Sequence, residues 1–213
     1  MSEEILTMRR MTMRLPIRCL TIAACVAGLS GAALGEQVDN PVYTAWAQYK
    51  PGTSVSYKQT TTVEIPNAGS HASEMTITQK LVEVKPDGVT VEGSTTMSMN
   101  GREMQMPAST QVIRAKVEKD QVGVPQFSKA GDTQATVKDV KLGTDTVDVK
   151  GTATAAKTRE MTVEMTAPQQ MTMHIKSWGV EGIPGGLVKM ESTGEGAMTM
   201  HSTMMLLDYH VEK

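Results

Sequence analysis

The sequence predicts a mainly β protein, a curved antiparallel sheet of about nine or ten strands with one short N-terminal helix packed on it. Three observations carry that expectation. From Thr53 onward apolar residues alternate with polar ones in a Thr- and Val-rich chain, the period-two signature of half-buried strands. Turn residues punctuate that alternation at Pro86-Asp87-Gly88, Asn100-Gly101 and Gly194-Glu195-Gly196. Only one segment, residues 40–49, has helical spacing.

The chain opens on a basic stretch holding Arg9, Arg10, Arg14 and Arg18, followed by an uncharged, mostly apolar run from Cys19 to Leu34. A basic region, a short apolar region and small residues at Ala33-Leu34-Gly35 are the parts of a secretory signal. The apolar run is too short for a span of about 20 residues. The expected division is therefore a signal peptide over 1–35, cleaved after Gly35, and a single antiparallel β domain over 36–213, periplasmic or secreted, with no transmembrane segment after cleavage. Ile22-Ala23-Ala24-Cys25 has the outline of a lipid-attachment box. The apolar run continues well past Cys25, however, whereas a lipidated cysteine should end it.

Cys19 and Cys25 are the two cysteines of the chain, and both fall within the signal. The exported domain is then left without a disulfide framework, a thiolate nucleophile or a cysteine-based zinc site. A formal net charge of −2, with neither sign clustered, argues against a nucleic-acid partner, which needs a basic stripe.

After a short new N-terminus, Asn40 suits a helix N-cap and Pro41 the first helical position, where its missing N–H costs nothing. Val42, Ala45, Trp46 and Tyr49 recur at i, i+3, i+4 and i+7, so they are expected to form one apolar face, stopped by Lys50-Pro51-Gly52. A helix this short does not hold in water unless docked. A three-strand meander is expected over roughly 73–117. Met75, Ile77 and Leu81 share a face of its first strand, and Val89 and Val91 begin its second. Asn100-Gly101 suits a two-residue hairpin turn, whose positions need positive φ. Pro107 suits an edge or a bulge. A less regular middle holds Pro125, Phe127 and Gly131-Asp132. Alternation resumes with Val147 and Val149, is clearest in Met161, Val163 and Met165, and continues past Ala167-Pro168 in Met171, Met173 and Ile175. A loop with Gly182, Pro184, Gly185 and Gly186 precedes the final hairpin, where Met198, Met200, Met204 and Leu206 are expected on one face of the last strand.

Methionine is the unusual feature, 18 in the chain against 3% aromatics. Pairs spaced by one recur at Met171/Met173 and Met198/Met200, followed directly by His174 and His201. Thioethers with imidazole suggest a periplasmic Cu(I) site, because soft ligands select that ion. On a strand, however, residues i and i+3 point to opposite faces, so neither histidine joins its methionine pair. The alternative is that methionine fills core or groove positions, where its flexible thioether packs irregular space. The four histidines lack metal-ligand spacing. No Gly-x-Ser-x-Gly elbow or phosphate-cradling loop is present, so neither an enzyme nor a bound cofactor or resident metal is expected.

The segment Trp178-Gly179-Val180-Glu181-Gly182-Ile183-Pro184-Gly185-Gly186-Leu187-Val188-Lys189-Met190-Glu191, with Trp46-Ala47-Gln48-Tyr49-Lys50-Pro51-Gly52-Thr53, resembles exported bacterial proteins of planctomycete-type genomes. Their layout is similar to the lipoprotein-carrier (LolA-like) half-barrel. The resemblance implies a curved sheet with helix over its concave face. A cysteine expected after the corner matching Val149-Lys150-Gly151 is replaced here by Thr154-Ala155-Ala156, so no thiol role carries over. The combined expectation is an exported, non-catalytic cell-envelope protein. It would bind a lipid, lipoprotein or acyl chain in a groove lined by Trp46, Tyr49, Met165, Met171, Met173, Met198 and Met200.

Overall fold

The computed structural model describes residues 36–66, 69–99, 102–119, 135–165 and 170–212. The segment assigned to the signal peptide, the irregular middle around Phe127, and the turns at Asn100-Gly101 and Ala167-Pro168 lie outside the described residues.

Asn40 caps α1 (Pro41–Ala47): its side-chain oxygen accepts from the Val42 N–H at 3.0 Å, and its amide donates to the Arg114 carbonyl at 2.9 Å. The helix follows β1 (Gln37–Asp39), which pairs antiparallel with β6 (Lys116–Glu118) in a small ribbon. The face it buries differs from the expected one. Val42 is 36% exposed, whereas Trp46 is 1% exposed, and Tyr43, Ala47 and Tyr49 pack beside it. The cap's bond to Arg114 fixes where the helix begins, and the Tyr43 hydroxyl donates to the Lys85 carbonyl at 3.0 Å. These contacts turn Tyr43 and Ala47 inward and Val42 outward.

Nine strands form one antiparallel sheet: β2 (Ser54–Ile65), β3 (Gly69–Lys85), β4 (Gly88–Met99), β5 (Arg102–Arg114), β7 (Ala135–Val149), β8 (Thr152–Met165), β9 (Met171–Gly179), β10 (Leu187–Gly196) and β11 (Thr199–His210). Their order is β5-β4-β3-β2-β11-β10-β9-β8-β7. Chain order is kept on both sides, and the last strand closes against the first long one. The expected meander is β3-β4-β5. Pro86 and Asp87 join its first two strands, and Lys85 pairs with Gly88. Pro107 lies on an edge strand and at a bulge together: the register slips between Gly93↔Ser109 and Thr95↔Met106, where a missing N–H costs no ladder bond.

The sheet is open, with β5 and β7 as its edges. Bulges interrupt the ladder near Leu81, Gly93, Lys138, Leu187 and Leu206, and such insertions bend and twist strands. The tip of the β7–β8 hairpin reaches β11, three strands from β8, through a Lys150–Asp208 ion pair and the Lys150 ammonium 4.6 Å from the Tyr209 ring. Three flat strand spacings would be about 14 Å, so the sheet curls, as expected of a half-barrel. Positive φ at Lys150 (51°) and Gly151 (82°) gives that hairpin its two-residue turn.

Candidate functional site

Direct cross-strand partners share a face, so the register itself sorts the side chains. One row runs Val63–Met200–Gly194–Met173–Val163–Val137 across six strands. A second runs Gly196–Met171–Met165, and a third Ser202–Ser192–Ile175–Met161. Met204 and Met190 form a fourth with Gln59 and Ser177. Met161, Met165, Met171, Met173, Met190, Met200 and Met204 therefore lie on a single face. The opposite face carries Lys58, Glu74, Thr162, His174, Lys176, Glu191, Thr193 and His201.

Met161, Val163, Met173 and Ile175 are buried, and Val137, Met165, Met171, Met190 and Met200 pack around them. A Cβ added to Gly194 would stand 3.1 Å from the Met171 sulfur and 3.6 Å from the Met200 methyl, so two thioether side chains fold over that glycine. Beyond this cluster the same face turns polar without becoming charged. Gln59 donates to Ser202 at 3.0 Å and to Thr61 at 3.3 Å, and Thr61 and Ser202 share a hydrogen bond of 3.0 Å. Past that band lies the second apolar cluster: Trp46, Val55, Tyr57, Leu81, Val89, Val91 and Ile113.

The expected groove residues thus separate. Met165, Met171, Met173 and Met200 come together in the methionine cluster. Trp46 and Tyr49 belong to the packed cluster under α1, where burial, and then the neighbouring Tyr209 hydroxyl, raises the Tyr49 phenol above its ordinary value. Met198 lies in the turn before β11, because pairing of that strand with β10 begins at Thr199↔Glu195. It is not on the strand face where alternation put it. Two open clefts lie along β8–β10, and neither is under α1. One, of about 560 Å³, adjoins Gln170, Met171, Thr172, Glu195, Gly196 and Ala197 at the end of the methionine cluster. The other, of about 500 Å³, is lined mainly by the polar face, including Glu160, His174, Lys176, Glu191 and Thr193.

Along β8 and β9 the buried side changes phase. Met161, Val163, Met173 and Ile175 are buried on one face, Ala156, Thr158 and Trp178 on the other. Trp178 forms a third cluster with Val147, Ala156, Ile183 and Val188. Its ring lies 5.0 Å from the Lys176 ammonium and 4.6 Å from that of Lys189, and its indole N–H donates to Asp145 at 3.1 Å. These contacts hold the indole within its apolar cluster. His174 and His201 bond Thr162 and Thr193 at 3.3 Å on the polar face, away from the methionines, as the spacing argument requires. Among the described residues no group of three His, Cys, Asp or Glu side chains could hold a metal ion.

Alternation alone pointed to the methionines but passed over Arg159, which follows the same period as Met161, Val163 and Met165. Arg159 pairs with Ser177 and Leu142. Its Nε is buried without a hydrogen-bond partner, and burial lowers its pKa.

Three exposed carboxylates are held below their ordinary range: Asp145 by the Trp178 N–H and then the Thr146 N–H, Asp208 by Lys150, and Glu181 by Lys157. A lowered folded pKa contributes stability above the ordinary carboxylate value that is lost as pH falls through the folded value. The Asp145–Trp178 contact should therefore loosen below about pH 4, read as a change in Trp178 emission. Asp145→Asn should shift that transition, and an unchanged acid profile in this variant would contradict the Trp178 contact.

No protein-family model matches the chain, and no curated protein matches it. Two solved structures align over most of its length. A LolA superfamily protein from Nitrosomonas europaea is 10% identical, with 83% of this chain and 94% of that one covered, at a TM-score of 0.23. A DUF1329 family protein from Desulfovibrio piger is 9% identical, covering 81% and 94%, at a TM-score of 0.26. Scores that low carry no weight for fold or activity, and the open, curled sheet stands on its own register. Among the described residues no helix is long and apolar enough to cross a membrane.

Proposed function

We propose that the protein is an exported, non-catalytic cell-envelope protein, periplasmic or secreted, that holds a lipid or acyl chain against the methionine- and valine-lined face of its sheet. One observation carries the reading. From β2 to β8 the rows that bear the methionines have no Asp, Glu or Lys on that face, while ion pairs such as Lys58–Glu74, Lys138–Glu164 and Lys176–Glu160 occupy the other. Unbranched thioethers adapt to a flexible chain, as at other promiscuous apolar surfaces. The carboxylates with lowered pKa are each engaged by a lysine or an indole away from this face, which favours binding over catalysis.

The second reading, a Cu(I) site, draws on Met171 and Met200 meeting over Gly194 beside Met173. Replacing Met173 and Met200 together by Leu separates the two, because it conserves volume and removes two soft donors. Titration of a fluorescent fatty acid should give binding in both wild type and double variant, with tight Cu(I) binding in neither. Tight Cu(I) binding by the wild type that vanishes in the variant, without fatty-acid binding, would replace the lipid reading.

A further inference from the structure

Among the described residues, Arg159 is the one charged side chain on the methionine-bearing rows between β2 and β8. Register fixes its placement: it lies two residues before Met161 on β8, opposite Leu142 of β7 and Ser177 of β9. The Ser177 hydroxyl donates to the Arg159 carbonyl at 3.4 Å, a bond to the backbone that does not engage the guanidinium. Glu160, its neighbour in sequence, points to the opposite face and pairs with Lys176 at 3.1 Å. No carboxylate among the described residues pairs with Arg159, and its Nε is buried with no acceptor.

Such a group is costly. A buried donor without a partner forfeits its hydration, more so when charged, and burial correspondingly lowers the Arg159 pKa. The Arg159 side chain is half-buried, with its Nε lacking an acceptor, and a ligand from outside the chain can supply one. A guanidinium presents planar, paired N–H groups matched to carboxylate or phosphate oxygens. Beside it the face continues through Met161, Val163 and Met165, with Ile175, Met173 and Met171 paired alongside. From Arg159 to Met165 the strand runs about 20 Å, roughly the reach of an extended long acyl chain.

We infer that Arg159 is the headgroup anchor of the apolar site, so that the ligand is a single-chain anionic amphiphile. Its carboxylate or phosphate pairs with the guanidinium and its chain lies along the partly buried Met190, Met200 and Met171 at the border of the cluster. This rests on the reading of the methionine face as a binding surface, and it adds a charge requirement that an apolar face alone would not impose.

Calorimetric titration of the purified protein with palmitate, hexadecyl phosphate and hexadecanol tests it, since the three share a tail and differ in the head. Wild type should bind at least one anion tighter than hexadecanol by about tenfold or more, and whichever anion is preferred identifies the headgroup. Arg159→Met, which keeps length and apolarity, should lose that preference while retaining hexadecanol binding. Arg159→Gln, more polar and also uncharged, should do the same, and unfolding curves establish that each variant is folded. Acetate and inorganic phosphate alone should not bind measurably. Equal affinity of the wild type for all three ligands, or an anion preference that survives in both variants, overturns the anchor and leaves the apolar site standing. Failure of the wild type to bind any of the three removes the apolar site, and the anchor with it.

Discussion

Trp46→Ala should lower the unfolding free energy by about 3–5 kcal/mol, a large fraction of a domain's total stability. The indole is 1% exposed and is the largest side chain in a cluster that joins α1 to β2, β3, β4 and β5. Seven residues of helix cannot hold themselves in water, so α1 stays where Trp46 pins it, helped by the Asn40 cap. Removing the ring leaves a void bounded by Val55, Leu81 and Val89, all fully buried, and strands held in a ladder close such a gap poorly. Urea unfolding followed by far-UV circular dichroism measures the loss. A change below about 1 kcal/mol would mean that the helix is not docked as described.

Gly185→Ala should destabilise nearly as much, by about 2–4 kcal/mol, from strain at positive φ together with overpacking. Gly185 has φ 73°, and a methyl there would stand 2.9 Å from the Trp46 indole nitrogen and 3.1 Å from the adjacent ring carbon. The ring cannot retreat because the core closes behind it. The glycine's N–H donates to the Ala45 carbonyl at 3.4 Å, so the loop and the helix are held edge to edge. The two substitutions should therefore not add. In the Trp46→Ala background the clash is relieved, and Gly185→Ala should cost only the backbone strain of about 1 kcal/mol. An equal cost in both backgrounds would contradict the contact.

That contact illustrates what the sequence could and could not reveal. Trp46-Ala47-Gln48-Tyr49-Lys50-Pro51-Gly52 and the Pro184-Gly185-Gly186 turn were legible as separate motifs, one a helix end and the other a turn. Nothing in their spacing said that the turn's glycines make room for the helix's tryptophan. Strand periodicity was the dependable signal, because a one-residue slip would turn every methionine outward, so Met161, Met165, Met171, Met173, Met200 and Met204 fell on one face as expected. It failed at strand ends. Met198 kept the period but belongs to the turn. The helix face was ambiguous because Val42-Ala45-Trp46-Tyr49 and Tyr43-Trp46-Ala47 are both apolar sets, and the cap's long-range bond to Arg114 chose between them. Arg159 was passed over because a charge inside an alternating strand is ordinarily solvated, and only its buried, unpartnered Nε marks it as different.

The most direct test of the lipid-binding account is native mass spectrometry of the protein purified from its own cells without detergent. The account predicts a bound species at the mass of an acylated molecule, released on denaturation and identifiable by fragmentation, and retained when Met173 and Met200 are both replaced by Leu. A spectrum holding only the ligand-free chain, together with no uptake of added palmitate, hexadecyl phosphate or hexadecanol, would contradict it.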